Sequence, residues 1–232
     1  MNLTPSRRVS AVLALVLAAP AWAAPGYIDQ RGVAPIHGDA SAGAAKAAVC
    51  FACHGPNGNS LVPAFPRLAG QRVDYLYWEL AKFKRGTRPQ SPMTAQAATL
   101  SDEDMRNLAT YFSQQAATAD VATPASPEAS RGEALFLHGD ARSGTPPCQG
   151  CHGAKATVLS GTAYVAYPAL RGQHADYLVQ RLKDYRDGKL SDSSNDFIMQ
   201  GRAHSGRRFD RRDRRLPVHA GPNGALRVGN PG

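Results

Sequence analysis

The chain has 232 residues, 43% of which are hydrophobic, and its formal net charge is +9 at pH 7. This length suffices for two small domains with separate cores. No segment is both long and apolar enough to predict a membrane-spanning helix. The four cysteines all belong to two Cys-x-x-Cys-His motifs, which leaves none for a separate structural disulfide.

The first 23 residues have the pattern of an export signal. Arg7 and Arg8 form a basic start, an apolar run covers 11–19, and residues 21–23 (Ala-Trp-Ala) offer a cleavage site. The apolar run is too short to span a bilayer, which disfavours a membrane anchor. We therefore expect a soluble mature protein that begins near Ala24 and is exported to the periplasm.

The first cysteine motif follows a short predicted helix over residues 41–49, and it contains Cys50, Cys53 and His54. This spacing is that of c-type haem attachment, in which the thiols form thioethers and the histidine is the proximal iron ligand. A thioredoxin-like redox pair does not need the histidine. A four-cysteine zinc site usually has its pairs about 15–20 residues apart, whereas 94 residues separate Cys53 from Cys148.

A segment after the first motif returns in the second half of the chain. Residues 65–71 (Phe-Pro-Arg-Leu-Ala-Gly-Gln) are repeated as 167–173 (Tyr-Pro-Ala-Leu-Arg-Gly-Gln), 102 positions later. Each repeat leads into an apolar pattern with helical spacing, which predicts an amphipathic helix in each half. Gly86 and Gly188 stand where these helices should end. The apolar positions are Val73, Leu76, Leu80 and Phe83 in the first half, and Ala175, Leu178, Leu182 and Tyr185 in the second.

Two methionines are candidates for the sixth iron ligand. Met93 follows Ser91 and Pro92 in a predicted loop, and Met199 is expected in the corresponding loop of the second half. The alternative for each is an adaptable side chain that fills space. Ligation by histidine and methionine fills both axial positions, leaves no open site for a substrate, and favours electron transfer over catalysis.

Residues 101–112 predict a helix that closes the first half. Ser101 is an N-cap followed by acidic residues, which suit the positive start of a helix. An apolar stripe follows with helical spacing, so we expect Met105 in the core rather than at the iron. The stripe consists of Met105, Leu108, Ala109 and Phe112.

The second half follows a predicted linker. Residues 116–130 are rich in Ala, Thr, Ser and Pro and have no apolar period, which indicates a linker. A short helix is predicted over 133–137, and the second haem motif follows with Cys148, Cys151 and His152.

The last 31 residues, 202–232, contain eight Arg, five Gly and three Pro without an apolar period. This mixture favours a frameshifted reading of a GC-rich gene, and the alternative is a natural disordered basic extension. In either case we expect the second half to lack a closing helix. Residues 24–201 alone carry 17 basic and 16 acidic residues, so we expect no nucleic-acid partner and at most peripheral membrane association.

The chain resembles the dihaem cytochrome c4 family, over about residues 36–201. The resemblance rests on the two haem motifs, the two Pro-x-Leu-x-Gly-Gln repeats and the stretches 38–43 and 131–136. It implies an all-α fold of two tandem cytochrome c-like domains related by pseudo-twofold symmetry. The domains would cover residues 24–115 and 131–201.

The resemblance also implies two covalently bound haem c groups. His54 and Met93 would be the axial ligands of one iron, and His152 and Met199 those of the other. The implied function is single-electron transfer from a quinol-oxidising complex to a terminal oxidase, such as a cbb3-type enzyme. Two alternatives remain open: a cytochrome subunit of a periplasmic dehydrogenase, and a dihaem peroxidase-type enzyme with a displaceable ligand.

Overall fold

The computed structural model describes residues 27–118, 126–158 and 166–205. These residues form helices and turns with two isolated β-bridges and no β-strand. No helix within them is long and apolar enough to cross a membrane. The helices are α1 (Ala40–Ala47), α2 (Phe51–His54), α3 (Val73–Arg85), α4 (Pro92–Ala98), α5 (Asp102–Ser113), α6 (Pro127–His138), α7 (Gln149–His152), α8 (Ala175–Arg186) and α9 (Ser194–Ser205).

The predicted helices of the first half are confirmed. Helix α3 ends at Gly86, as its sequence indicates. Helix α5 is capped by Ser101, whose hydroxyl accepts a hydrogen bond from the backbone N–H of Asp104 at 3.0 Å. Met105 is buried in the core beside Leu108 and Phe112, so its predicted role in packing is also confirmed.

The predicted linker ends earlier than its composition indicates. Helix α6 begins at Pro127, so residues 127–130 are helical and the short helix predicted over 133–137 is longer at both ends. The Ser126 hydroxyl accepts the backbone N–H of Ala129 at 3.1 Å. A capping serine followed by proline, whose fixed φ suits the first helical position, is a helix start as well as a linker signal. Residues 119–125 lie outside the described part.

Both candidate methionine ligands lie in helices and not in loops, which corrects the prediction. Met93 is the second residue of α4, which begins after Ser91. Met199 lies in α9, whose start is capped by the Ser193 hydroxyl, 3.2 Å from the backbone nitrogen of Asp196. Serine thus marks the N-cap of each helix, and in α4 proline follows it at the first helical position.

Helix α9 reaches Ser205, so the first four residues of the predicted tail, 202–205, are helical. Residues 206–232 lie outside the described part, as does the export signal over 1–23. The frameshift and the missing closing helix therefore remain predictions.

Helix α1 crosses α5 at a small residue, and this contact fixes the core of the first half. A Cβ atom on Gly43 would lie 2.2 Å from the Asn107 carbonyl oxygen, so only glycine permits this approach. The Asn107 side chain also accepts the backbone N–H of Asp39 at 2.7 Å. The core around the crossing contains Ile36, Ala47, Leu76, Tyr77, Ala81, Met105, Leu108, Ala109 and Phe112.

We predict that Gly43→Ala destabilises the protein although alanine is the better helix former by about 0.5–1 kcal/mol. The clash with α5 should outweigh that gain, because overpacking typically costs about 1–3 kcal/mol. Chemical denaturation measures the difference. Gly201→Ala is the matched control, since Gly201 is a helical glycine with open space around it. Equal effects of the two substitutions would contradict the close crossing.

Candidate functional site

The histidine of the first motif is buried and held by the backbone. His54, at the end of α2, is 5% exposed, and its Nδ1 atom lies 2.8 Å from the Pro66 carbonyl oxygen. A carbonyl oxygen can only accept, so Nδ1 carries the proton and Nε2 keeps its lone pair. Metal-ligating histidines usually donate their other ring N–H in this way.

The second motif has the same geometry. His152, at the end of α7, is 6% exposed, and its Nδ1 atom lies 3.0 Å from the Pro168 carbonyl oxygen. Pro66 and Pro168 occupy the same position of the repeated segment. Each repeat therefore supplies the carbonyl that orients one motif histidine.

Burial sets the protonation of both motifs. It lowers the pKa of His54 and of His152, which favours the neutral imidazole that a metal requires. It raises the pKa of the Cys50 and Cys148 thiols. No disulfide joins the four cysteines, so each sulfur is available for a thioether bond.

The two candidate methionines lie on helices that occupy equivalent places in the two halves. Met93 is on α4, which packs on α3, and Met199 is on α9, which packs on α8. Both side chains are half-buried, in contrast to Met105 in the core. Each half thus carries one half-buried methionine on a helix that packs against its amphipathic helix. Their roles as iron ligands remain predictions.

An unpartnered donor also fits a haem. The indole Nε1 of Trp78 is buried and has no hydrogen-bond partner among the described residues. A buried N–H without a partner is costly, and a haem propionate is an acceptor that could satisfy it. Sequence reasoning missed Trp78 because the equivalent position in the second half is Gln180, so the repeat gives no signal there.

The two repeated segments bind each other across the two halves. The Gln71 amide donates to the Ala169 carbonyl oxygen at 2.8 Å and accepts the Ala169 backbone N–H at 2.8 Å. The Gln173 amide donates to the Arg67 carbonyl oxygen at 3.0 Å and accepts the Arg67 backbone N–H at 2.9 Å. Both pairs of equivalent residues are 102 positions apart. The contact is therefore symmetric, which agrees with the predicted pseudo-twofold relation.

The other described histidines do not form a metal site. His37 and His138 are exposed, whereas His174 is half-buried with its Nε2 atom 3.0 Å from the Ser60 carbonyl oxygen. No group of three or more His, Cys, Asp or Glu side chains in the described ranges could hold a metal ion.

The chain is similar to known c-type cytochromes. The cytochrome c family model matches residues 40–116. The chain is 42% identical over 178 residues to cytochrome c4 of Azotobacter vinelandii, covering 73% of this chain and 82% of the relative. It is 36% identical to the thiosulfate dehydrogenase electron acceptor of Thiomonas intermedia, covering 81% of this chain and 79% of the relative. The crystal structure of reduced cytochrome c4 from Pseudomonas stutzeri matches with a TM-score of 0.67 and 37% identity, covering 78% of this chain and 96% of that one.

We predict that Gln71→Ala weakens the contact between the halves. The change leaves the backbone N–H and carbonyl of Ala169 without their partner, which should cost about 1–3 kcal/mol. Denaturation of the haem-loaded protein measures the loss, and Gln173→Ala should have the same effect. Gln96→Ala, at an exposed position on α4, should stay within about 0.5 kcal/mol of the unmodified protein. A Gln71→Ala variant as stable as Gln96→Ala would refute the cross-bonds.

Proposed function

Because the chain belongs to the cytochrome c4 family, we propose that it transfers single electrons between redox proteins through two covalently bound haem c groups. The observation that carries the proposal is the pair of haem motifs, each with a buried, neutral histidine whose Nδ1 donates to a proline carbonyl. Haem iron, when bound, cycles between its ferric and ferrous states and so supplies one-electron chemistry. The thioether-forming residues would be Cys50, Cys53, Cys148 and Cys151.

The protein's own residues would fill both axial positions in this proposal. His54 and His152 would be the proximal ligands, because the hydrogen bonds at Nδ1 fix the tautomer that leaves Nε2 free for iron. Met93 and Met199 would be the sixth ligands. A thioether ligand raises the reduction potential, and a filled position leaves no place for a substrate. Both consequences support a carrier rather than an enzyme.

The contact between the halves suits electron transfer from one haem to the other within the molecule. Gln71 and Gln173 join the same two segments whose proline carbonyls orient the histidines. This arrangement supports a rigid unit in which the two redox centres keep one relative position.

We infer that the protein acts in the periplasm, between a quinol-oxidising complex and a terminal oxidase such as a cbb3-type enzyme. A second candidate is electron acceptor of a periplasmic dehydrogenase, because the Thiomonas intermedia relative is named as the electron acceptor of thiosulfate dehydrogenase. Cross-linking in native cells followed by copurification separates the two. An oxidase in the cross-linked complex supports the first, and a dehydrogenase supports the second.

We predict that the protein matured with the haem-attachment machinery gains the mass of two haem groups. Replacing Cys148 and Cys151 by serine should leave one haem, and replacing Cys50 and Cys53 should leave the other. Mass spectrometry under denaturing conditions measures this, because thioether bonds survive unfolding. An unmodified protein with a single haem addition would rule out the dihaem proposal.

We predict that Met93→Leu opens one iron to carbon monoxide and lowers the reduction potential of that haem, because the thioether ligand is lost. Leucine has nearly the volume of methionine, so packing should change by less than about 1.5 kcal/mol. Met105→Leu is the matched control and should leave both haems closed. Spectroelectrochemistry and carbon monoxide titration measure the two effects. Opening by Met105→Leu and not by Met93→Leu would show that the ligand assignment is wrong.

A further inference from the structure

The helix that carries Met199 begins in contact with the other half of the molecule. Residues 192–196, called the α9 anchor below, precede and start this helix. Ser193, Ser194 and Asp196 in the anchor are buried. Their partners come from the first half of the chain, about 100 residues earlier or more.

Backbone hydrogen bonds form the first part of this contact. The Ile28 backbone N–H donates to the Asp192 carbonyl oxygen at 2.8 Å, and its carbonyl accepts the Ser194 N–H at 2.9 Å. The Gln30 backbone N–H donates to the Ser194 hydroxyl at 2.9 Å. The segment before α1 thus binds the α9 anchor like a short parallel strand.

Buried charges form the second part. The Lys82 Nζ atom, on α3, lies 2.7 Å from Asp196 Oδ1, and the two side chains are 4% and 0% exposed. Asp192 is paired with Arg85 and accepts the Thr87 hydroxyl at 2.5 Å. The Lys82 Nζ atom also lies 3.2 Å from Glu79 and 3.9 Å from Asp192, so one ammonium serves three carboxylates. Removing Lys82 would leave Asp196 buried without its cation, which is strongly unfavourable.

The two halves of the chain differ in this anchoring. The position equivalent to Lys82 on α8 is Asp184, which pairs with Arg181 and Lys189 in its own half. Helix α4, which carries Met93, starts at Pro92 after the N-cap Ser91, and both residues are exposed. Among the described residues, only the methionine-bearing helix of the second half is therefore anchored by buried charge from the other half.

We propose that Lys82 is a positioning residue for Met199. Asp196 and Met199 are three residues apart on α9, so they are neighbours on one face of the helix. One turn of a helix moves as a rigid element. By holding Asp196, Lys82 therefore sets the position of α9 along its axis and its rotation, and with them the position of the Met199 side chain relative to the iron. The inference rests on the proposed ligation by Met199. Through it, the first half of the chain controls the ligation of the second haem.

The test uses the haem-loaded full chain and imidazole as the exogenous ligand. Met199→Leu first identifies the second haem by opening it to imidazole and shifting its reduction potential. Lys82→Met should then raise the apparent imidazole affinity of that same haem about tenfold or more, since the open fraction grows. The first haem should keep its potential. Lys46→Met, at an exposed position on α1 where the lysine forms a surface ion pair with Asp104, should change neither haem.

A second variant distinguishes loss of positioning from misfolding of the Lys82→Met protein. Asp196→Asn removes the charge with little change of shape, and it should also open only the second haem. The double variant Lys82→Met, Asp196→Leu should partly restore the resistance of the second haem to imidazole, because an apolar pair can replace a buried ion pair. If Met199→Leu leaves both haems closed, the ligation proposal fails. If it opens the second haem but Lys82→Met and Asp196→Asn do not, the ligation stands and the positioning role of Lys82 is overturned.

Discussion

The hydrogen bond from each motif histidine to a proline carbonyl is the interaction on which the rest of the site depends. It places the proton on Nδ1 of His54 and of His152, and thereby leaves the other ring nitrogen for iron. The carbonyl belongs to a seven-residue segment that occurs twice in the chain. The last residue of that segment is Gln71 or Gln173, whose amide binds the opposite copy. One repeated segment thus orients the ligand and joins the halves.

The two halves are equivalent in their haem motifs but not in their charges. Glu79 and Arg181 occupy equivalent positions, as do Lys82 and Asp184, so each pair carries opposite signs. Opposite charges at equivalent positions attract near a twofold axis, whereas identical charges would repel. Arg181 indeed contributes to the lowered pKa of Glu79, where Lys82 and Arg88 outweigh the opposing effect of burial. The charge pattern therefore favours pairing of the two different halves over pairing of one half with its copy.

Much of this architecture could be predicted from the sequence, because its signals are local. The haem motifs, the repeat, and helices α3 and α5 follow from spacing and capping residues a few positions apart. The starts of α4, α6 and α9 were missed because serine, which is followed by proline in α4 and α6, marks both loops and helix N-termini. The ion pair between Lys82 and Asp196 joins residues 114 positions apart. No local pattern in the chain could reveal that contact. The buried indole of Trp78 could not be predicted as a site residue either, because the repeat has no tryptophan at the equivalent position.

The central claim is that the protein's own side chains fill both axial positions of each haem iron, which leaves no site for an added ligand. It is tested most directly by exposing the reduced, haem-loaded, unmodified protein to carbon monoxide and recording its optical spectrum. The account predicts an unchanged spectrum of two low-spin haems, because His54, Met93, His152 and Met199 are proposed to fill the axial positions. A carbon monoxide adduct at either haem, or a high-spin spectrum before its addition, would contradict the claim and favour a peroxidase-type enzyme.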